Sequence, residues 1–174
     1  MASPAHRPAN WPARKILSRR ALAAAIRLLK EQGSEVVFAN GCFDLLHVGH
    51  VTLLERAKRL GDILVVGINS DRSVRALKGP SRPLVPEQDR ARLLAALACV
   101  DYVTIFDQPT PYHVIAALKP DVLVKGADWP TAGIVGRELV RRTGGRVVRI
   151  PLVSGYSTTR LISRIKQLTA SAEA

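Results

Sequence analysis

The stretch Val36-Val37-Phe38-Ala39-Asn40-Gly41-Cys42-Phe43-Asp44-Leu45-Leu46-His47-Val48-Gly49-His50 decides how the rest of the chain is read. The apolar run 36–39 is too short for a helix and suits a strand buried on both faces. It leads into a glycine-containing turn and then a helix start, the unit from which parallel sheets are built. At that helix start His47 and His50 share a face, where free N–H groups and the helix dipole favour an anion. Gly49 between them lets a phosphate approach the backbone closely. Such a site can hold a triphosphate and stabilise the charge that develops at an attacked phosphorus. The competing readings of a His-x-x-His pair are plain helix-start polar residues or a metal site. No third Cys, His or carboxylate stands at a helpful spacing, so no metal ligand is assigned.

Working outward, Val- and Ile-rich runs at 36–39, 63–68, 102–106, 122–124 and 147–150 alternate with helical patterns at 19–31, 49–60, 71–77, 87–98, 111–118, 135–142 and 158–168. This alternation predicts an α/β fold: a Rossmann-like, open, parallel five-stranded sheet with helices on both faces. Gly33 and Gly61 stand as helix C-caps, and Ser70 and Ser157 as N-caps. The 174 residues suffice for one domain, placed at 15–168 between tails at 1–14 and 169–174. In such sheets ligands bind beyond the carboxyl ends of the strands. That singles out the segments 40–50, 69–70, 107–110, 125–129 and 151–159.

Composition narrows the class. No apolar run approaches the roughly 20 residues of a bilayer span, and nothing at the start resembles a secretory signal, so a cytoplasmic protein without membrane contact is expected. Cys42 and Cys99 are the only cysteines, too few for a disulfide framework. The net charge of +12 fits a basic face that attracts anionic substrates. The alternative, a nucleic-acid-binding regulatory module on the same fold, lacks any recognised nucleic-acid motif, and no nucleic-acid partner is expected. A P-loop is absent from the sequence.

The segment Gly41-Cys42-Phe43-Asp44 with His47-Val48-Gly49-His50 resembles the cytidylyltransferase-like nucleotidyltransferases, whose signature is His-x-Gly-His after Gly-x-Phe-Asp. Further segments narrow the likeness to the bacterial heptose 1-phosphate adenylyltransferases: Asn69-Ser70-Asp71, Leu77-Lys78-Gly79 with Arg82-Pro83, Glu87 to Arg90, Lys125-Gly126-Ala127-Asp128, and Gly155-Tyr156-Ser157-Thr158-Thr159. The likeness spans about 15–167. Members often carry this domain behind a sugar kinase, and the stand-alone form is expected here. A second glycine is usual where Ala127 stands, and a small residue where Tyr156 stands.

The resemblance implies roles. His47, His50 and Lys125 are the expected catalytic residues. Asn40, Gly41, Cys42, Phe43, Gly49, Arg90, Gly126, Ser157, Thr158 and Thr159 are expected to bind the nucleotide, and Asp44, Lys78, Arg82, Asp128 and Trp129 the acceptor. Read on their own, Lys78 and Arg82 are cations in a Gly/Pro-punctuated loop, and Arg90 is a helix residue beside Glu87. Ser157 to Thr159 form a second hydroxyl-rich helix start, more than a cap requires. The implied reaction transfers AMP from ATP to D-glycero-β-D-manno-heptose 1-phosphate, giving ADP-heptose and pyrophosphate for lipopolysaccharide core. Magnesium would enter as the ATP complex, and the assembly would be a homodimer. The runner-up is a cytidylyltransferase acting on glycerol 3-phosphate or another alcohol phosphate, because His-x-Gly-His alone is shared across the superfamily.

Overall fold

The computed structural model describes residues 11–172. Its five strands are β1 (Val36–Gly41), β2 (Ile63–Asn69), β3 (Tyr102–Phe106), β4 (Val122–Gly126) and β5 (Arg146–Ile150). All neighbours pair in parallel, in the order β3-β2-β1-β4-β5. The helices are α1 (Trp11–Arg14), α2 (Arg19–Glu31), α3 (Val48–Lys58), α4 (Asp71–Lys78), α5 (Glu87–Ala96), α6 (Tyr112–Leu118), α7 (Arg137–Arg142) and α8 (Thr158–Ala172). The Rossmann-like parallel sheet expected from the alternation of strand and helix patterns is the one observed.

Successive side chains of a strand point to opposite faces, so an unbroken apolar strand serves two cores. Val37 and Ala39 of β1 join Leu64 and Val66 of β2, Leu54 and Ala57 of α3, and Leu94 and Ala95 of α5 in one layer. Val36 and Phe38 turn the other way, toward Leu22 and Ile26 of α2, Val114, Ile115 and Leu118 of α6, and Val140 of α7. Each such side chain, fully buried, contributes about 1.5–3 kcal/mol relative to exposure. A polar residue at 37 or 38 would strip one layer of a central contact.

Local chemistry sets the element ends. The Ser18 hydroxyl accepts from Ala21 N–H, and the Ser70 hydroxyl from Ser73 N–H at 3.1 Å, so both start helices as N-caps. Gly33 closes α2 at φ +88°, as the sequence implies. Gly61 serves a different purpose: a Cβ there would lie 2.8 Å from the Glu35 carbonyl oxygen, so the residue is fixed by close packing of the chain before β2.

Three elements depart from the expectation. Residues 11–14, assigned to a tail, form the short helix α1, and Ile16 bridges to Val103 on the β3 edge. Residues 131–133 form a 3-10 turn, and α7 starts at Arg137 rather than at 135. Helix α8 runs on to Ala172, into the stretch assigned to the C-terminal tail. Residues 1–10 and 173–174 lie outside the described residues. No described helix is long and apolar enough to cross a membrane.

Candidate active site

The strand order places the site. From β1 the chain winds outward through β2 and β3, then returns to lay β4 on the other side of β1. The junction of β1 and β4 is therefore the topological switch point, where a crevice opens. The ladder between them joins Val37 to Val122, Phe38 to Leu123 and Ala39 to Val124, and stops there, although each strand continues for two residues. Lys125 bridges the parting strands, its Nζ 3.4 Å from the Asn40 carbonyl oxygen.

His47 occupies the N-cap position of α3 without using its side chain as a cap. Its ring stacks on that of His50 at 3.8 Å between centroids and 19° between planes. The Phe43 ring lies 5.0 Å from that of His50, tilted by 60°. Gly49 makes this stack possible, since a Cβ there would sit 3.0 Å from His47 Nδ1 and 3.2 Å from Tyr156 Cβ. Tyr156 stands just ahead of α8, with its ring 6.4 Å from that of His47. Two helix starts, those of α3 and α8, thus converge on one point. At α8 the Ser157 hydroxyl is spent as a cap, accepting from Arg160 N–H at 3.1 Å. Thr158 and Thr159 follow it at the same helix start.

The electrostatics suit an anion not yet neutralised. Burial, reinforced by the neighbouring His47, lowers the His50 pKa to about 4 against the pull of the Leu45 backbone. Burial alone lowers that of His47. Burial likewise brings Lys125 down to about 8, opposed by Asp128 and Cys42. Its ammonium also lies 5.3 Å from the centroid of the Trp129 ring. Gly126 allows Asp128 to turn back toward the strand end, since a Cβ there would fall 2.5 Å from Asp128 Oδ1. Two buried polar atoms here, His47 Nδ1 and Asn40 Oδ1, lack any protein partner. Such atoms cost free energy unless a ligand or water satisfies them.

Three residues expected to contact ligand make their hydrogen bonds within the chain. Arg90 is fully buried, and its guanidinium is consumed by Cys42 O at 2.6 Å, Val85 O at 2.9 Å and Asp71 Oδ1 at 2.7 Å. Asp44 is 2% exposed and accepts from Arg82 Nε at 2.6 Å, Leu84 N–H at 2.8 Å and Val85 N–H at 2.9 Å. Arg82 is the other half of that pair. Asp44 and Arg82 thus match each other, and Arg90 is matched by Asp71, because a buried charge is costly unless paired. Phe43 is also buried, at φ 46°, and meets the site through the edge of His50. Cys42 is half-buried, and burial pushes its thiol pKa up.

Lys78, Asp128 and Trp129 are exposed. Sequence reasoning missed Asp71 as the partner of Arg90, and Glu87, which accepts from Asp71 N–H at 2.7 Å. An acidic residue in a first helical turn is so common that the sequence carries no sign of either role. A cleft of about 580 Å³ lies at the ends of β2 and β3, lined by Ser70, Arg72, Arg75, Glu87 and Asp107. Its Ser70 and Arg72 are already bonded to Asp107, and the histidines are not among its walls. Among the described residues no group of three His, Cys, Asp or Glu side chains is arranged to hold a metal ion.

A parallel sheet with a paired-histidine helix start at its switch point defines a class, and comparison with known proteins agrees. Residues 38–164 match the family described as Cytidylyltransferase-like, and the chain belongs to that family. The chain is 56% identical over 151 residues to the bifunctional protein HldE of Syntrophotalea carbinolica, covering 87% of this chain and 31% of that one. It is 61% identical over 134 residues to the bifunctional protein HldE of Magnetococcus marinus, covering 77% of this chain and 28% of that one. The chain thus spans less than a third of the length of these relatives. Among solved structures, the lipopolysaccharide core biosynthesis protein from Thermoplasma volcanium superposes with a TM-score of 0.57 at 29% identity, over 71% of this chain and 99% of that one. The pantoate-beta-alanine ligase from Francisella tularensis shares the fold alone, with a TM-score of 0.56 at 15% identity over 87% and 76% of the two chains.

Proposed function

We propose that this chain transfers AMP from ATP to D-glycero-β-D-manno-heptose 1-phosphate, releasing pyrophosphate and giving ADP-heptose for lipopolysaccharide core. The observation that carries the reading is the stacked His47–His50 pair at the start of α3, where the start of α8 converges on it, with the Lys125 ammonium at the parting of β1 and β4. Identity to the HldE proteins and the likeness to a lipopolysaccharide core biosynthesis protein support the substrate class.

A phosphate oxygen of the sugar attacks the α-phosphorus in line, a new P–O bond forms, and the bond to the β-phosphate bridging oxygen breaks. The attacking phosphate is already ionised, so no general base is required and the protein contributes positioning and charge stabilisation. His47, His50 and Gly49 receive the triphosphate at the start of α3, and Thr158 and Thr159 at the start of α8. Lys125 faces the developing charge from β4. Asp128 and Trp129 stand where the sugar hydroxyls and ring would lie. Magnesium fits as a passenger of the triphosphate, since hard cations take oxygen ligands and the described residues offer no carboxylate cluster. A cytoplasmic location belongs to the same reading, and no described helix is long and apolar enough to cross a membrane. A homodimer would cover Ile165 and Leu168, exposed on α8.

The test is pyrophosphate release with ATP or CTP against heptose 1-phosphate or glycerol 3-phosphate. The expected product is ADP-heptose from the first pairing alone. Preference for CTP with glycerol 3-phosphate would replace the reading with the cytidylyl one.

A further inference from the structure

Val85 is tied to the turn 42–44 of the histidine-bearing segment in two ways, directly through its N–H and by way of Arg90 of α5 through its carbonyl. Its N–H, together with that of Leu84, donates to Asp44 Oδ1, and its carbonyl accepts from Arg90 Nε. Arg90 then donates to the Cys42 carbonyl, and Asp44 Oδ2 receives Arg82 Nε. The loop that follows α4 is thus fastened to residues 42–44 by two buried charges, each fully matched. The same turn holds Phe43 at φ 46°, a left-handed conformation that persists in a bulky residue only where the surroundings impose it. Where this loop begins stands Lys78, exposed at the last position of α4. Its charge lies close enough to Cys42 to oppose the effect of burial on the thiol.

We infer that Asp44 is a positioning residue, a latch that clamps the loop after α4 onto the turn 42–44 so that Lys78 is held at the edge of the triphosphate site. This rests on the nucleotidyl transfer proposed above. Asp44 itself touches no ligand: its carboxylate is consumed by the latch. Lys78 supplies the loop's free cation, because Arg82 is consumed as well.

The test begins with Asp44→Asn, which keeps the shape but puts an NH2 group against N–H donors. Trypsin cleavage at the Lys78–Gly79 bond, measured well below the melting temperature of both proteins, should accelerate about tenfold or more, since cleavage follows local opening. In a double-mutant cycle, Asp44→Asn and Lys78→Met should each lower kcat by about tenfold, and the double variant should fall no further than the worse single one. Should Asp44→Asn fail to fold, Arg82→Met cuts the Oδ2 contact from the more exposed side, and the same lack of additivity with Lys78→Met is expected at smaller size. Unchanged cleavage, or losses that simply multiply, would overturn the latch. A wild-type protein that releases no pyrophosphate with any nucleotide would sink the reaction, and the trypsin comparison would then decide the latch alone.

Discussion

The two edges of the sheet are built from similar residues and handle them in opposite ways. At the amino ends of the strands, carboxylates meet backbone donors directly. Asp62 accepts from Glu35 N–H, Asp101 from Leu64 N–H and Asp121 from Val36 N–H, each within 2.8 Å. Lys58 and Lys30 complete two of these arrangements as ion pairs. At the carboxyl ends, His47 Nδ1 and Asn40 Oδ1 are buried without protein partners, and Lys125 has a carbonyl 3.4 Å away and the Trp129 ring in place of a carboxylate partner. One edge is satisfied within the chain, and the other is arranged for a charge that comes from outside. Stability and activity are therefore separable by edge, and each of the following measurements tests that division.

The largest effect is expected at the carboxyl edge. His47→Ala and His50→Ala should each lower kcat by roughly 10²–10³-fold, as removal of a charge-stabilising donor commonly does, with little change in melting temperature. Near-normal turnover in both variants would break the comparison at its centre.

Second comes the pH dependence of folding. The His50 pKa is depressed in the folded chain to about 4, so between there and its unfolded value of about 6.5 the unfolded state binds the extra proton. Its neutral burial costs nothing above about pH 6.5, and stability is lost as the pH falls toward 4. The loss is on the order of 3 kcal/mol. Denaturant melts at pH 7 and pH 4.5 should show a smaller difference for His50→Asn than for the wild type, and an equal difference would refute the assignment.

Third, Asp121→Ala at the amino edge removes the acceptor of Val36 N–H and leaves the Lys30 ammonium with the Lys119 carbonyl alone. It should cost about 2 kcal/mol in urea unfolding while kcat stays within twofold. A large loss of turnover there would show that the edges are coupled.

The smallest effect sharpens the picture. With Lys125 at about 8, kcat/KM of the wild type should fall above that pH as the ammonium loses its proton. Lys125→Arg should change the rate at pH 7 only a few-fold and remove the alkaline fall. Persistence of that fall would assign it to another group.

What the sequence revealed follows the same division. The strands were legible because Val- and Ile-rich runs buried on both faces leave a pattern that needs no partner to be recognised. The histidine pair was legible because its spacing and its place after the first strand carry the chemistry. The internal partners of Asp44, Arg82 and Arg90 were not legible, because a charge inside a motif looks the same whether it points out or in. What decides its direction is a partner from another segment: Asp44 and Arg82 meet across 38 residues, and Arg90 of α5 reaches Cys42 across 48 and Asp71 across 19. Ile16 is half of a bridge whose other half is Val103, so nothing local marks the segment before α2 as part of the sheet.

The three-rung ladder between β1 and β4 has a consequence for how the protein is made. His47 and His50 leave the ribosome more than a hundred residues ahead of Ser157 to Thr159. The strand that carries them can pair at once with β2, but its other neighbour does not yet exist. Throughout that interval a nascent chain displays half an anion site and cannot close the rest. The site is complete only once β4 has paired along β1 and, later still, the beginning of α8 has brought Tyr156 beside His47.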